Sequence, residues 1–201
     1  MTYHGLVSVS LAGLAIVIAA YFSGSFPTAS IVGRLSGHDH NKEGSGNPGA
    51  TNVWRTSGKL FGVLTMVVDL LKGALPVIAA LLIAGRPWAA VTWAAATIGH
   101  VIPIGRWRSG GKGVATAGGG ALVLYPPLAL ALIATFVVVV KLTKRVSLGS
   151  LVMAAFLAVG VAFTHDFLVE VAAAVLVAAL IFIRHRSNIG RLISGQELTV
   201  S

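Results

Sequence analysis

The sequence predicts an all-α integral membrane bundle of seven transmembrane helices, one or more of them short, with the N-terminus outside and the C-terminus cytoplasmic. Three observations lead there. The 201 residues are 56% hydrophobic and only 10% charged, with a mean hydropathy of +0.87, values that belong to membrane proteins rather than soluble domains. The apolar residues fall into seven runs split by short polar intervals. Thirteen of the fifteen Lys and Arg residues lie in alternate intervals, so they collect on one side of a membrane once every run crosses it. By the positive-inside rule that side is cytoplasmic.

The runs are taken in chain order. Residues 6–26 form the first; no Lys or Arg precedes it and its apolar stretch is too long for a cleaved signal peptide. Residues 60–84 form the second, closed by Gly85-Arg86-Pro87, and 88–104 the third. Residues 114–125 are a short fourth run ended by Pro126-Pro127. It must cross, because otherwise Lys141, Lys144 and Arg145 would face outward. A helix that short rises only about 18 Å against a hydrocarbon core of about 30 Å, so the loop ahead of it has to dip below the headgroups. Residues 128–140, 146–163 and 167–183 complete the seven. One integral membrane domain, 1–201, is expected, with cytoplasmic segments 34–59, 105–116, 141–150 and 184–201. The net charge of +9 is thereby accounted for by topology and calls for no nucleic acid. There is no cysteine, and no His, Asp and Glu spacing suits a metal ion.

The polar intervals carry the chemistry. Residues 44–52 read Gly-Ser-Gly-Asn-Pro-Gly-Ala-Thr-Asn; glycines allow close backbone approach, and short polar side chains suit an oxyanion such as phosphate. From this segment Ser45, Gly46, Asn47, Thr51, Asn52 and Arg55 are candidate site residues. The segment fits G-x-G-x-x-G, but 38–43 ahead of it is no strand, so a dinucleotide fold is rejected. Residues 110–116 read Gly-Gly-Lys-Gly-Val-Ala-Thr and supply Gly110, Gly111, Lys112, Gly113 and Thr116. They are no Walker A loop, since Gly113 stands where Ser or Thr would hold magnesium. Topological charge explains Lys42, Lys59 and Lys141, but not a lysine set between glycines. Ser147 comes from the third interval; His185 and Asn188, one helical turn apart, come from the tail. Inside the second run Asp69 and Lys72, three apart, are expected to pair, and His100 to pack at a helix end.

Together these segments are similar to the three cytoplasmic motifs of the bacterial acyl-phosphate:glycerol-3-phosphate acyltransferases. The third motif is His185-Arg186-x-Asn188-Ile189-x-Arg191-Leu192-x-x-Gly195-x-Glu197, and Gly24-Ser25-x-Pro27, Gly99-His100 with Pro103, and Val146-Ser147-Leu148 add to the likeness. The resemblance implies a bacterial inner-membrane, multi-pass enzyme with its active site on the cytoplasmic side. It would transfer a fatty acyl group from acyl phosphate to the sn-1 hydroxyl of glycerol 3-phosphate, giving lysophosphatidate and phosphate for phospholipid synthesis, with no cofactor. On that reading Lys112, His185, Asn188, Arg55 and Ser45 are catalytic. His185 is the histidine placed to act as base, although a substrate phosphate could itself take the proton. The partners are the two substrates and membrane lipids. No histidine has Asp five residues on, so the His-x4-Asp signature of thioester-using acyltransferases is absent, which disfavours an acyl-CoA donor. The alternative is a membrane transporter of organic phosphate. That alternative calls for internally repeated halves and a midplane site, whereas this chain has no inverted repeat and its polar groups crowd one face.

Overall fold

The computed structural model describes residues 10–105, 110–165 and 167–200. Expectations that fall on residues 6–9, Arg106, Arg108, Asp166 and Ser201 lie outside the described residues. Ten helices follow one another: α1 (Leu11–Gly24), α2 (Thr28–Ser36), α3 (Ala50–Ser57), α4 (Lys59–Ile83), α5 (Arg86–Val101), α6 (Val114–Leu124), α7 (Pro126–Thr143), α8 (Val146–Thr164), α9 (Leu168–Arg184) and α10 (Arg186–Ile193). The described residues contain no strand.

Each of the seven apolar runs carries one helix, and the ends fall where local chemistry places them. The Ser10 hydroxyl accepts from the Gly13 N–H and caps α1. Proline opens α5 and α7 within their first two positions. By length and composition, α4, α7, α8 and the Leu11–Ser36 run through α1 and α2 can each cross a membrane; α9 with α10 makes a fifth if that pair, bent by 59°, is one span. The count of seven therefore goes beyond what length alone supports, because α5 with 16 residues and α6 with 11 fall short. Helices α3 and α10 fall in stretches read from sequence as polar intervals, and α2 spans the junction between the first apolar run and the first of those intervals. The last helix does not simply continue: it breaks at His185.

Two helix pairs touch backbone to backbone through glycine. A Cβ at Gly73 of α4 would land on the Thr116 carbonyl of α6, and one at Gly119 of α6 on the Leu70 carbonyl of α4. Gly24 and Gly99 bring α1 and α5 together in the same way, against the Ala96 and Tyr21 carbonyls. Small residues at such crossings are how helices associate where lipid removes the hydrophobic drive. The main core is built around Trp93, whose indole N–H donates to the Ala117 carbonyl at 2.8 Å and whose ring meets Tyr125 edge-on. Outward faces stay apolar: Leu82, Leu142, Phe163 and Leu168 are each at least 80% exposed, as a lipid-facing surface requires.

Four buried or half-buried charges, in two pairs, knit the bundle. Lys72 and Asp69 pair at 2.7 Å, as their spacing predicts. At the opposite end Arg86, counted from sequence as the one basic residue on that side, is a cross-link. Its Nε and NH2 groups donate to the two Glu170 oxygens at 2.7 and 3.1 Å. A further N–H reaches the Leu124 carbonyl, and the guanidinium lies over the Tyr125 ring. Glu170 is wholly buried. That single side chain joins α5, α9 and the α6–α7 junction.

Candidate active site

The 38–49 loop is wired internally around Asn52. The Asn52 amide donates to the His40 and Glu43 carbonyls at 3.0 and 2.9 Å, and its oxygen accepts from the Ser45 N–H at 2.8 Å. Gly44, with φ +61°, lies so close that a Cβ would strike that Asn52 oxygen. The Gly46 and Gly49 N–H groups are likewise bonded, to the Glu43 and Asn47 carbonyls. The Ser45, Gly46 and Gly49 amides are therefore consumed by the loop. Asn52 holds the loop in shape, and what this segment presents to a ligand is side chains: Ser45, Asn47, Thr51 and Arg55.

The second loop is held from outside. Arg184 donates to the Gly111 carbonyl at 3.2 Å and to the Gly110 carbonyl, and the Gly111 N–H donates to the His100 carbonyl at 3.2 Å. With these groups engaged, Gly113 in the left-handed region (φ +82°) turns the chain into α6, whose first-turn N–H groups have no intrahelical acceptor. Lys112 makes no hydrogen bond among the described residues. Burial lowers its pKa to about 8, opposed by Glu197 and aided by Arg191, Arg55 and Arg184.

The tail closes the arrangement. The Asn188 amide donates to Glu197 Oε1 at 2.6 Å and Arg191 Nε donates to Oε2 at 2.8 Å. Burial pushes the Glu197 carboxyl up, but the Asn188, Ser147 and Arg191 groups facing it outweigh that and hold it below the usual carboxylate range. Among the described residues the Asn188 amide oxygen and Arg55 Nε are buried without a hydrogen-bond partner, so each is available to a ligand. Arg55 also reaches the Leu198 and Thr199 carbonyls at 3.4 and 3.3 Å, and the Val200 N–H bonds the Lys144 carbonyl. His185 Nδ1 lies 2.8 Å from the Ile181 carbonyl. A carbonyl only accepts, so Nδ1 carries the proton and Nε2 is left with a free lone pair. Burial, with the Lys112 charge nearby, lowers the His185 pKa to about 4, so the ring is neutral at pH 7.

These groups meet in one cavity of about 1410 Å³, counting its open mouth. Ser45, Asn47, Thr51, Asn52, Arg55, Lys112, Gly113, Ser147, His185 and Asn188 all line it. Its other half is apolar, with Met66, Leu70, Leu122, Ile133, Phe136 and Met153. An apolar cavity of about 360 Å³ adjoins it and shares Val114, Gly118, Ile133 and Met153. A space cationic at one end and greasy at the other suits an anionic amphiphile.

A sequence model of the family described as glycerol-3-phosphate acyltransferase matches residues 14–195. The chain belongs to that family. Curated glycerol-3-phosphate acyltransferases from Trichlorobacter lovleyi and Thioalkalivibrio sulfidiphilus are 43% and 44% identical to it. The first alignment covers 92% of this chain and 96% of the relative, the second 91% of each. Among solved structures the chain resembles PlsY (YgiH), an integral membrane glycerol 3-phosphate acyltransferase. Its glycerol 3-phosphate form superposes with a TM-score of 0.90 at 34% identity over 94% of this chain and 96% of that one; its lysophosphatidic acid form gives 0.87 at 34%, over 94% and 95%.

Within the family's fold, four of the residues expected at the site do not line the main cavity. Gly46 (φ +65°) shapes the first loop. Gly110 and Gly111 line a smaller polar cavity behind the second loop. Thr116 is fully buried, its carbonyl against Gly73. Conversely, Arg184 organises the site although in sequence it is only one of many cations in the basic intervals. Glu197, in sequence the last residue of the tail motif, is the acid that fixes Asn188 and Arg191.

Proposed function

We propose that this member of the family transfers a fatty acyl group from acyl phosphate to the sn-1 hydroxyl of glycerol 3-phosphate, at the cytoplasmic face of a bacterial inner membrane. The observation that carries the reading is the cavity itself: Lys112, Arg55 and the first-turn amides of α6 gather at one end, and an apolar trough continues from it. Two phosphates and one alkyl chain account for both halves. Lys112 and the α6 amides hold one phosphate. Arg55, Ser45, Asn47 and Thr51 hold charge across the pocket. The hydroxyl oxygen attacks the acyl carbonyl carbon, the bond from that carbon to the phosphate oxygen breaks, and phosphate leaves. His185 Nε2 takes the hydroxyl proton. Because the donor is already activated, positioning and charge neutralisation supply most of the rate.

The purified protein in detergent is expected to release phosphate and form lysophosphatidate from acyl phosphate and glycerol 3-phosphate, and to give no product from acyl-CoA. Comparable rates with both donors would refute the donor assignment.

The proposed membrane arrangement has seven spans, with the Asn47 loop and the C-terminus inside and Arg86 outside. It predicts that a cysteine introduced at Asn47 reacts with a membrane-impermeant maleimide only after the cells are opened. Labelling of intact cells at that position would overturn it.

A further inference from the structure

A buried ion pair is an odd component for this bundle. Asp69 and Lys72 are each less than a tenth exposed, inside a helix that must cross lipid, where charges are costly. The contact between α4 and α6 does not use the pair, since those helices touch through Gly73 and Gly119. Both ions are nonetheless tied down. Thr28 of α2 donates to Asp69 Oδ1 at 3.0 Å, and Lys72 donates to the Phe26 carbonyl at 2.7 Å.

What the pair supports lies on its other side. His100 Nδ1 stands 3.9 Å from the same Asp69 oxygen. The opposite edge of the ring abuts Gly111 so closely that a Cβ there would overlap His100 Nε2, and the His100 carbonyl accepts the Gly111 N–H. Asp69 and His100 line the main cavity and also the polar cavity of about 300 Å³ behind the loop, together with Lys72, Gly110 and Gly111. A continuous path of contacts runs from α2 and α4 through His100 to the residue next to Lys112.

We propose that Asp69, fixed by Lys72 and Thr28, acts through His100 as a positioning group that sets where the 110–113 loop presents Lys112 to its phosphate. The inference rests on the functional reading above. Exchanging both partners of a buried ion pair for apolar residues of similar size is often neutral or stabilising, so a pair that serves structure alone is removed without a change in KM.

The test uses the full-length double variant Asp69→Leu/Lys72→Met, with His100→Ala and His100→Gln. The double variant is expected to melt at or above the wild-type temperature in detergent. Its KM for one phosphate substrate should rise about tenfold while the other KM is kept. His100→Ala should do the same, and His100→Gln should recover part of the loss. A second readout does not depend on turnover: modification of Lys112 by trinitrobenzenesulfonate, followed by mass spectrometry, with inorganic phosphate as protectant. Protection should need about tenfold more phosphate in the double variant than in wild type. A double variant that is stable, has wild-type KM values and is protected at wild-type phosphate overturns the proposal. Should wild type itself fail to use the two substrates, the functional reading falls, and the protection assay still decides the positioning role.

Discussion

Replacing Lys112 by alanine is expected to lower kcat/KM by about 10²–10³, the usual cost of deleting one preorganised charged donor to a transition state. Lys112→Arg keeps the charge and the topology, yet it should also lose substantial activity, because a broad planar guanidinium does not reproduce the point charge of a compact ammonium. Both variants should insert normally. The pH profile adds a sign that a topological lysine would not produce. Burial lowers the Lys112 pKa to about 8, so the charged, phosphate-gripping form prevails below that value and is lost as pH rises through it. In wild type kcat/KM should therefore fall above about pH 8. Because a bound phosphate raises the lysine pKa again, the fall in kcat should come at higher pH. Turnover in Lys112→Ala within a few-fold of wild type would remove the phosphate role.

His185→Ala is expected to lower kcat by about 10²–10⁴, the range for loss of a general base, with KM values nearly unchanged. Glutamine should not rescue it, since an amide cannot take a proton. With its pKa lowered to about 4 the ring is neutral at pH 7; a base that weak takes the proton only because the bound anionic substrates raise its pKa again. The Ile181 carbonyl selects the tautomer that leaves Nε2 free. If His185→Gln keeps most of the activity, the proton goes directly to a phosphate oxygen and the histidine serves only to shape the pocket.

Much of the architecture was legible because membrane-spanning helices announce themselves by long apolar runs, and each run became a helix. The short amphipathic pieces α2, α3 and α10 were not, since eight or nine mixed residues carry too little periodicity to stand out from a polar loop. The glycine segments were recognisable as ligand loops, but the use of their groups was not. Asn52 looks like a ligand in sequence and is a structural pin in space, because an amide that binds phosphate and one that binds carbonyls are the same residue type. Arg184 failed in the opposite direction: in sequence it is one of thirteen cations that the charge pattern alone explains, and only coordinates separate the one that grips Gly110 and Gly111. Asp69 with Lys72 could be paired from their spacing alone. That His100 joins them to the second loop depends on tertiary contacts between residues far apart in the chain.

The Arg86–Glu170 cross-link has a consequence in time. Its partners are separated by 84 residues, and ribosomes extend chains at about 5–20 residues per second, so Arg86 waits about 4 to 17 s for its acid. Within that interval α5, α6, α7 and α8 are synthesised while the place that α9 will fill stands open. The helix pairs α1–α5 and α4–α6 can meet through their glycines before then, but the Arg86 end closes only when the last long helix delivers its acid. A ribosome stalled before Glu170 should leave a nascent chain that is inserted but loose at its Arg86 end, a natural substrate for membrane quality control.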